Sequence, residues 1–145
     1  MTVLTRQLTI LVVEDSAADA DLVVDALDGA PSTPRLLLAT SGPAALALMR
    51  GTGDHGTLMD IVLLDLNLPG FGGLQTLADI KADPALRRTP VVVLTTSKSQ
   101  DEIDRCYELG AAAVLNKPLR LHDYREMLMS FERFWLRHVR LPAGM

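Results

Sequence analysis

Short runs rich in Val, Ile and Leu alternate along the chain with longer segments of helical period, a pattern that predicts a parallel sheet covered by helices on both faces. The runs are "LTILVV" (8–13), "RLLLA" (35–39), "IVLL" (61–64), "VVVLT" (91–95) and "AAVLN" (112–116), so five strands are expected. Between the first two, Leu22 with Ala26 and Val23 with Leu27 fall at i,i+4 spacing, and Ser16 and Asp19 stand where a helix start uses them. A first helix is therefore expected over Ala17–Leu27. The second is expected from about Pro43 to Arg50, and the third from Gly73 to Ala82 with Leu74, Leu77 and Ala78 inward. A fourth, from Gln100 to Leu109, would turn Ile103, Cys106 and Tyr107 inward and stop at Gly110. "GTGDHGTL" (51–58) reads as a loop and "PSTP" (31–34) as a turn.

The C-terminal stretch "LRLHDYREMLMSFERFWLRHVRLP" (119–142) holds four of the six aromatic residues and predicts an extended last helix. Tyr124, Leu128, Phe131 and Trp135 recur at helical spacing and can pack on the sheet. Met127, Phe134 and Leu141 fall on a neighbouring stripe that one small domain need not cover. A helix folded back on its own domain is one reading; the other, favoured by the pattern, is a homodimer that uses Met127, Phe134 and Leu141 as its interface.

Composition sets the scale. A chain of 145 residues with 48% hydrophobic content fits one domain, with a core over about 7–133 and a C-terminal extension over 134–145. The single cysteine, Cys106, cannot form an internal bridge and reads as a packed thiol. The N-terminus lacks the apolar core of a secretory signal, and no apolar run approaches the roughly 18 residues that a bilayer demands, so a cytoplasmic protein with no membrane partner is expected. A net charge of −4 without a basic stripe argues against nucleic acid as a partner.

In open parallel sheets ligands bind beyond the carboxyl ends of the strands. The first run ends in Glu14 and Asp15, the third in Asp65, the fourth in Thr95, and the fifth is followed by Lys117 and Pro118. Carboxylates in this number suit a hard divalent cation such as Mg²⁺, and three of them packed without one would repel each other. An aspartate can also become an acyl phosphate, with a lysine balancing the charge of the transferred oxygens. Taken singly, the acid pair could serve a helix dipole, Asp65 a turn before Pro69 and Gly70, and Thr95 and Lys117 nothing in particular. Taken together, their placement at the strand ends of one sheet is improbable by chance.

The motifs "LVVEDSAADADL", "VLLDLNLPGFGG", "PVVVLTTS" and "GAAAVLNKP", with the spacing of Asp65, Thr95 and Lys117, resemble the receiver domains of two-component response regulators, of the stand-alone kind related to chemotaxis regulators. The resemblance spans nearly the whole chain. It implies a flavodoxin-like doubly wound α/β fold, a five-stranded parallel sheet of order 2-1-3-4-5. By position, Asp65 would be the phosphoacceptor for a histidine kinase in the presence of Mg²⁺. Glu14, Asp15, Asp65 and the Asn67 backbone carbonyl would hold the metal, Thr95 would bond the phosphoryl group and Lys117 would pair with it. Such a protein is a signalling phosphoacceptor and not an enzyme, although the resemblance leaves room for it to promote its own phosphorylation and dephosphorylation. The resemblance also implies a cis Lys117–Pro118 bond. Two departures stand out: Val114 where relatives carry an aromatic residue that tracks the threonine, and Gly72 where they often carry an acidic helix cap. The ending "FERFWLRHVRLP" is similar to that of single-domain regulators partnered with phytochrome-type kinases. Two rivals remain: a haloacid-dehalogenase-like phosphotransferase, which wants a second Asp where this chain has Asn67, and a receiver-like scaffold that acts unphosphorylated.

Overall fold

The computed structural model describes residues 7–51, 59–70 and 72–142. Five strands, β1 (Thr9–Val13), β2 (Arg35–Ala39), β3 (Ile61–Asp65), β4 (Val91–Thr95) and β5 (Ala113–Asn116), pair in parallel in the order β2-β1-β3-β4-β5. They alternate with helices α1 (Ala17–Leu27), α2 (Gly42–Arg50), α3 (Gly73–Ala82), α4 (Gln100–Glu108) and α5 (Leu121–Phe131). No helix among the described residues is long and apolar enough to cross a membrane. The expected loop over 51–58 falls, beyond Gly51, outside the described residues, as does Phe71.

The central strands β1, β3 and β4 are buried along their whole length, which is why their sequences run apolar instead of alternating. Successive side chains still point to opposite faces. Leu11, Val13, Val62, Leu64, Val91 and Val93 meet Ala45, Leu46 and Met49 of α2, Leu77 and Ile80 of α3 and Cys106 of α4. Ile10, Val12, Ile61, Leu63, Val92 and Leu94 meet Val23 and Leu27 of α1 and Tyr124, Leu128 and Phe131 of α5. Buried Asp60 fixes the entry to this sheet: its Oδ2 accepts the Thr9 amide N–H at 2.7 Å, a tie the sequence does not announce.

Side-chain caps start three helices. Ser16, Ser41 and Ser99 accept the amides of Asp19, Ala44 and Glu102, as Ser at an N-cap does. Helix α3 starts without one; its N-cap is Gly72, at φ +83°. The next residue explains the glycine pair. A Cβ on Gly73 would stand 2.5 Å from the Leu66 Cα and carbonyl oxygen, so only glycine lets α3 approach the turn that follows β3.

Three expectations need correction. Tyr107 is exposed, not inward: six of the nine α4 residues are charged or carry an amide, only Cys106 is buried, and the Tyr107 hydroxyl accepts the Val114 N–H at 3.1 Å on the margin of β5. The last helix does not continue as one α-helix; after Phe131 it widens into a π-helical turn, Glu132–Leu136. The turn makes Leu136, five residues after Phe131, the next buried apolar position, leaves Trp135 half-buried and exposes Phe134. Met127 and Leu141 pack partly against their own domain, and Phe134 is the most exposed of the three residues expected at an interface. Finally, the Lys117–Pro118 bond is trans, since no described peptide bond is cis. Trans is the lower-energy form, and the Lys117 N–H already donates to the Thr95 carbonyl at 2.8 Å, which brings the lysine over the sheet edge without isomerisation.

Candidate functional site

Parallel register brings the strand ends level. Val13 lies beside Leu64, Asp65 beside Leu94, and Thr95 beside Asn116, so the residues at or just after these ends share one edge. There Glu14, Asp15 and Asp65 each place a carboxylate oxygen within 4.8 Å of the others. Glu14 and Asp65 are buried and Asp15 is exposed, which opens the trio to solvent on one side. The Asn67 N–H donates to Asp65 Oδ1 at 3.0 Å and holds that carboxylate at the head of the turn. All-oxygen donors at this spacing fit a hard divalent cation.

Lys117 crosses above the trio. Its Nζ lies 2.9 Å from Glu14 Oε1 and 3.2 Å from Asp65 Oδ2, with the lysine side chain 7% exposed. Burial pushes the Glu14 carboxyl up to about 7, helped by its hydrogen bond with Asp65 and opposed by Lys117. Burial alone would lower the Lys117 pKa, but its hydrogen bond to Glu14 and the charges of Asp65 and Glu14 reverse the direction and keep it protonated. The edge thus holds a surplus of negative charge around one ammonium, ready for a further cation.

Thr95 is fully buried at the end of β4, and its Oγ1 accepts the Ser97 N–H at 2.9 Å. That bond leaves the hydroxyl proton to donate elsewhere. Glu14, Asp15, Asp65 and Lys117 thus come together at one sheet edge, and Thr95 ends the neighbouring strand.

Two participants escaped the sequence. Asp19, which reads locally as a helix-start residue, puts Oδ2 3.2 Å from Lys117 Nζ. Thr96 Oγ1 accepts the Asn67 side-chain amide at 3.0 Å and ties the turn after β3 to the one after β4. Neither pairing has a local signal, because the partners lie 98 and 29 residues apart.

The family model for the response regulator receiver domain matches residues 10–129. The chain belongs to the response regulator receiver family. Within it, the response regulator Rcp1 of Synechocystis sp. is 42% identical over 137 residues, 93% of each chain. The crystal structure of the Mn²⁺-bound form of Rcp1 superposes with a TM-score of 0.87 and covers 93% of this chain and 99% of its own. That of the phosphorylated cyanobacterial phytochrome response regulator RcpA, 36% identical, superposes with a TM-score of 0.90 over 95% of this chain and 100% of its own. RPA3017, a response regulator in red light signalling of R. palustris, gives 0.84 at 31% identity, with 94% and 99% covered. The receiver fold, the sheet order and membership of a two-component signalling family are thereby shown. In this receiver the Asn67 amide is committed to Thr96, and a second acidic group at that place, which a dehalogenase-like phosphotransferase needs, is absent.

Proposed function

We propose that this receiver accepts a phosphoryl group on Asp65 from the phosphohistidine of a phytochrome-type histidine kinase. The observation that carries the reading is the pairing of buried Asp65 with Lys117 at 3.2 Å beside two further carboxylates. An Asp65 carboxylate oxygen attacks phosphorus, the P–N bond breaks, and its electron pair stays on the imidazole, which is protonated from solvent. The product is an acyl phosphate on Asp65. Lys117 balances charge on the transferred oxygens, and the Thr95 hydroxyl donates to one of them. Glu14, Asp15, Asp65 and the Asn67 carbonyl would hold Mg²⁺, which when bound offsets the charge of both carboxylate and phosphoryl oxygens.

Support for the light-sensing partner comes from RcpA and RPA3017, whose similarity extends over almost the entire chain. ATP-fuelled kinases make phosphohistidine in the cytoplasm, where this reading places the protein. The core over about 7–133 forms the receiver unit, and the segment from 134 onward serves a homodimer through exposed Phe134, with smaller shares from Met127 and Leu141.

Phosphotransfer profiling tests the reading: radiolabelled candidate kinases are mixed with wild type and with Asp65→Asn. Label should pass to the wild type only, and only with Mg²⁺. Partner binding that persists unchanged in Asp65→Asn, with no transfer to the wild type, would favour the unphosphorylated scaffold instead.

A further inference from the structure

Lys117 has three carboxylates around it, Glu14 at 2.9 Å, Asp19 at 3.2 Å and Asp65 at 3.2 Å. An ammonium carries only three N–H donors. With two donors bonded to Glu14 and Asp19 and the ammonium paired with Asp65, a phosphoryl group on Asp65 competes with these carboxylates for Lys117. The side chains of Glu14 and Asp65 are 3% and 5% exposed, and deserting either would leave a buried carboxyl group without its partner. Asp19 is 36% exposed, so water can replace the lysine there at the smallest cost. Its place is nonetheless built in, since its own N–H is held by Ser16 Oγ in the first turn of α1.

Room and a second donor lie alongside. Asp19 and Lys117 line a cavity of about 230 Å³ with Thr96 and Tyr124. The Tyr124 hydroxyl is buried with no hydrogen-bond partner, and Tyr124 is one of the residues that line the cavity. We infer that Asp19 is a positioning residue for phosphoryl transfer: it holds Lys117 in the resting receiver and competes for it with the incoming phosphoryl group. The inference rests on Asp65 being the phosphoacceptor.

The full chain tests it, as wild type, Asp19→Asn, Asp19→Glu and Asp21→Asn, the last removing an exposed charge from the same helix. Initial rates of Asp65 labelling by phosphoramidate with Mg²⁺ are compared. Asp19→Asn should label about fivefold faster, the scale of a partly exposed ion pair. Asp19→Glu should return towards the wild-type rate, and Asp21→Asn should match it. Without phosphodonor, the ¹⁵N signal of the Lys117 ammonium should shift and exchange faster in Asp19→Asn. A rate in Asp19→Asn at or below wild type, equal acceleration in Asp21→Asn, or an unmoved Lys117 signal would each overturn the inference. Wild type that takes no label at all contradicts the phosphoacceptor reading, and the ammonium signal then still decides whether Asp19 holds Lys117.

Discussion

Glu14 is the residue whose charge the fold controls most visibly. With its carboxyl raised by burial from 4.5 to about 7, the folded protein keeps a proton there that the unfolded chain has lost. Stability from this group is therefore complete below about 4.5 and disappears as pH rises through about 7. A cation needs the ionised form, so divalent-cation affinity should strengthen over the same interval. Thermal unfolding in chelator, followed by Mg²⁺ titration at about pH 5 and about pH 8, checks both signs. Glu14→Gln is expected to flatten the metal-free pH dependence and weaken the Mg²⁺ response at the higher pH; a Mg²⁺ response as strong in the variant as in the wild type would remove Glu14 from the metal site. Its charge was legible in the sequence as an acid at a strand end. The size of its perturbation was not, because that depends on Asp65 and Lys117, which only the sheet brings near.

At the scale of elements, the turn from β3 into α3 couples packing to chemistry. Gly73 lets α3 rest on the Leu66 backbone, one residue from Asp65 and one from Asn67. Gly73→Ala should destabilise by about 2–3 kcal/mol, since the obstructing atoms are backbone and cannot step aside. Because the displaced turn supplies the Asn67 N–H that holds Asp65, labelling of the folded fraction should slow as well. Denaturant unfolding and phosphorylation rates measure the two effects separately. The strands and the first four helices were readable from apolar runs, helical spacing, Ser16 and Gly110, all of which are local. Less legible were contacts fixed at long range: Asp60 at the foot of β1, and Glu132, buried at the start of the π-helical turn and paired with Arg137 at 3.0 Å. A regular 3.6-residue period cannot foretell the widening that makes Leu136 the next buried apolar position.

For the molecule as a whole, α1 and α5 on one face of the sheet and α2, α3 and α4 on the other leave the site at the strand ends and Phe134 on the surface. Phe134 is 56% exposed and meets the half-buried Trp135 edge to face at 5.9 Å. Phe134→Ala should shift the oligomeric state towards monomer in sedimentation velocity, and at dilutions where the wild type is also monomeric it should unfold at the same temperature, as removing an exposed ring leaves the core intact. A wild type that is already monomeric at high concentration would dispose of the homodimer. The function proposed for the molecule turns on Asp65 as phosphoacceptor. Intact-mass measurement of the wild type and Asp65→Asn after incubation with phosphoramidate, with and without Mg²⁺, followed by mapping of the modified residue, tests it most directly. A single phosphoryl group should be added on Asp65 of the wild type, dependent on Mg²⁺ and missing from Asp65→Asn; folded wild type that gains no phosphoryl group, or gains it on another residue, would rule out that role.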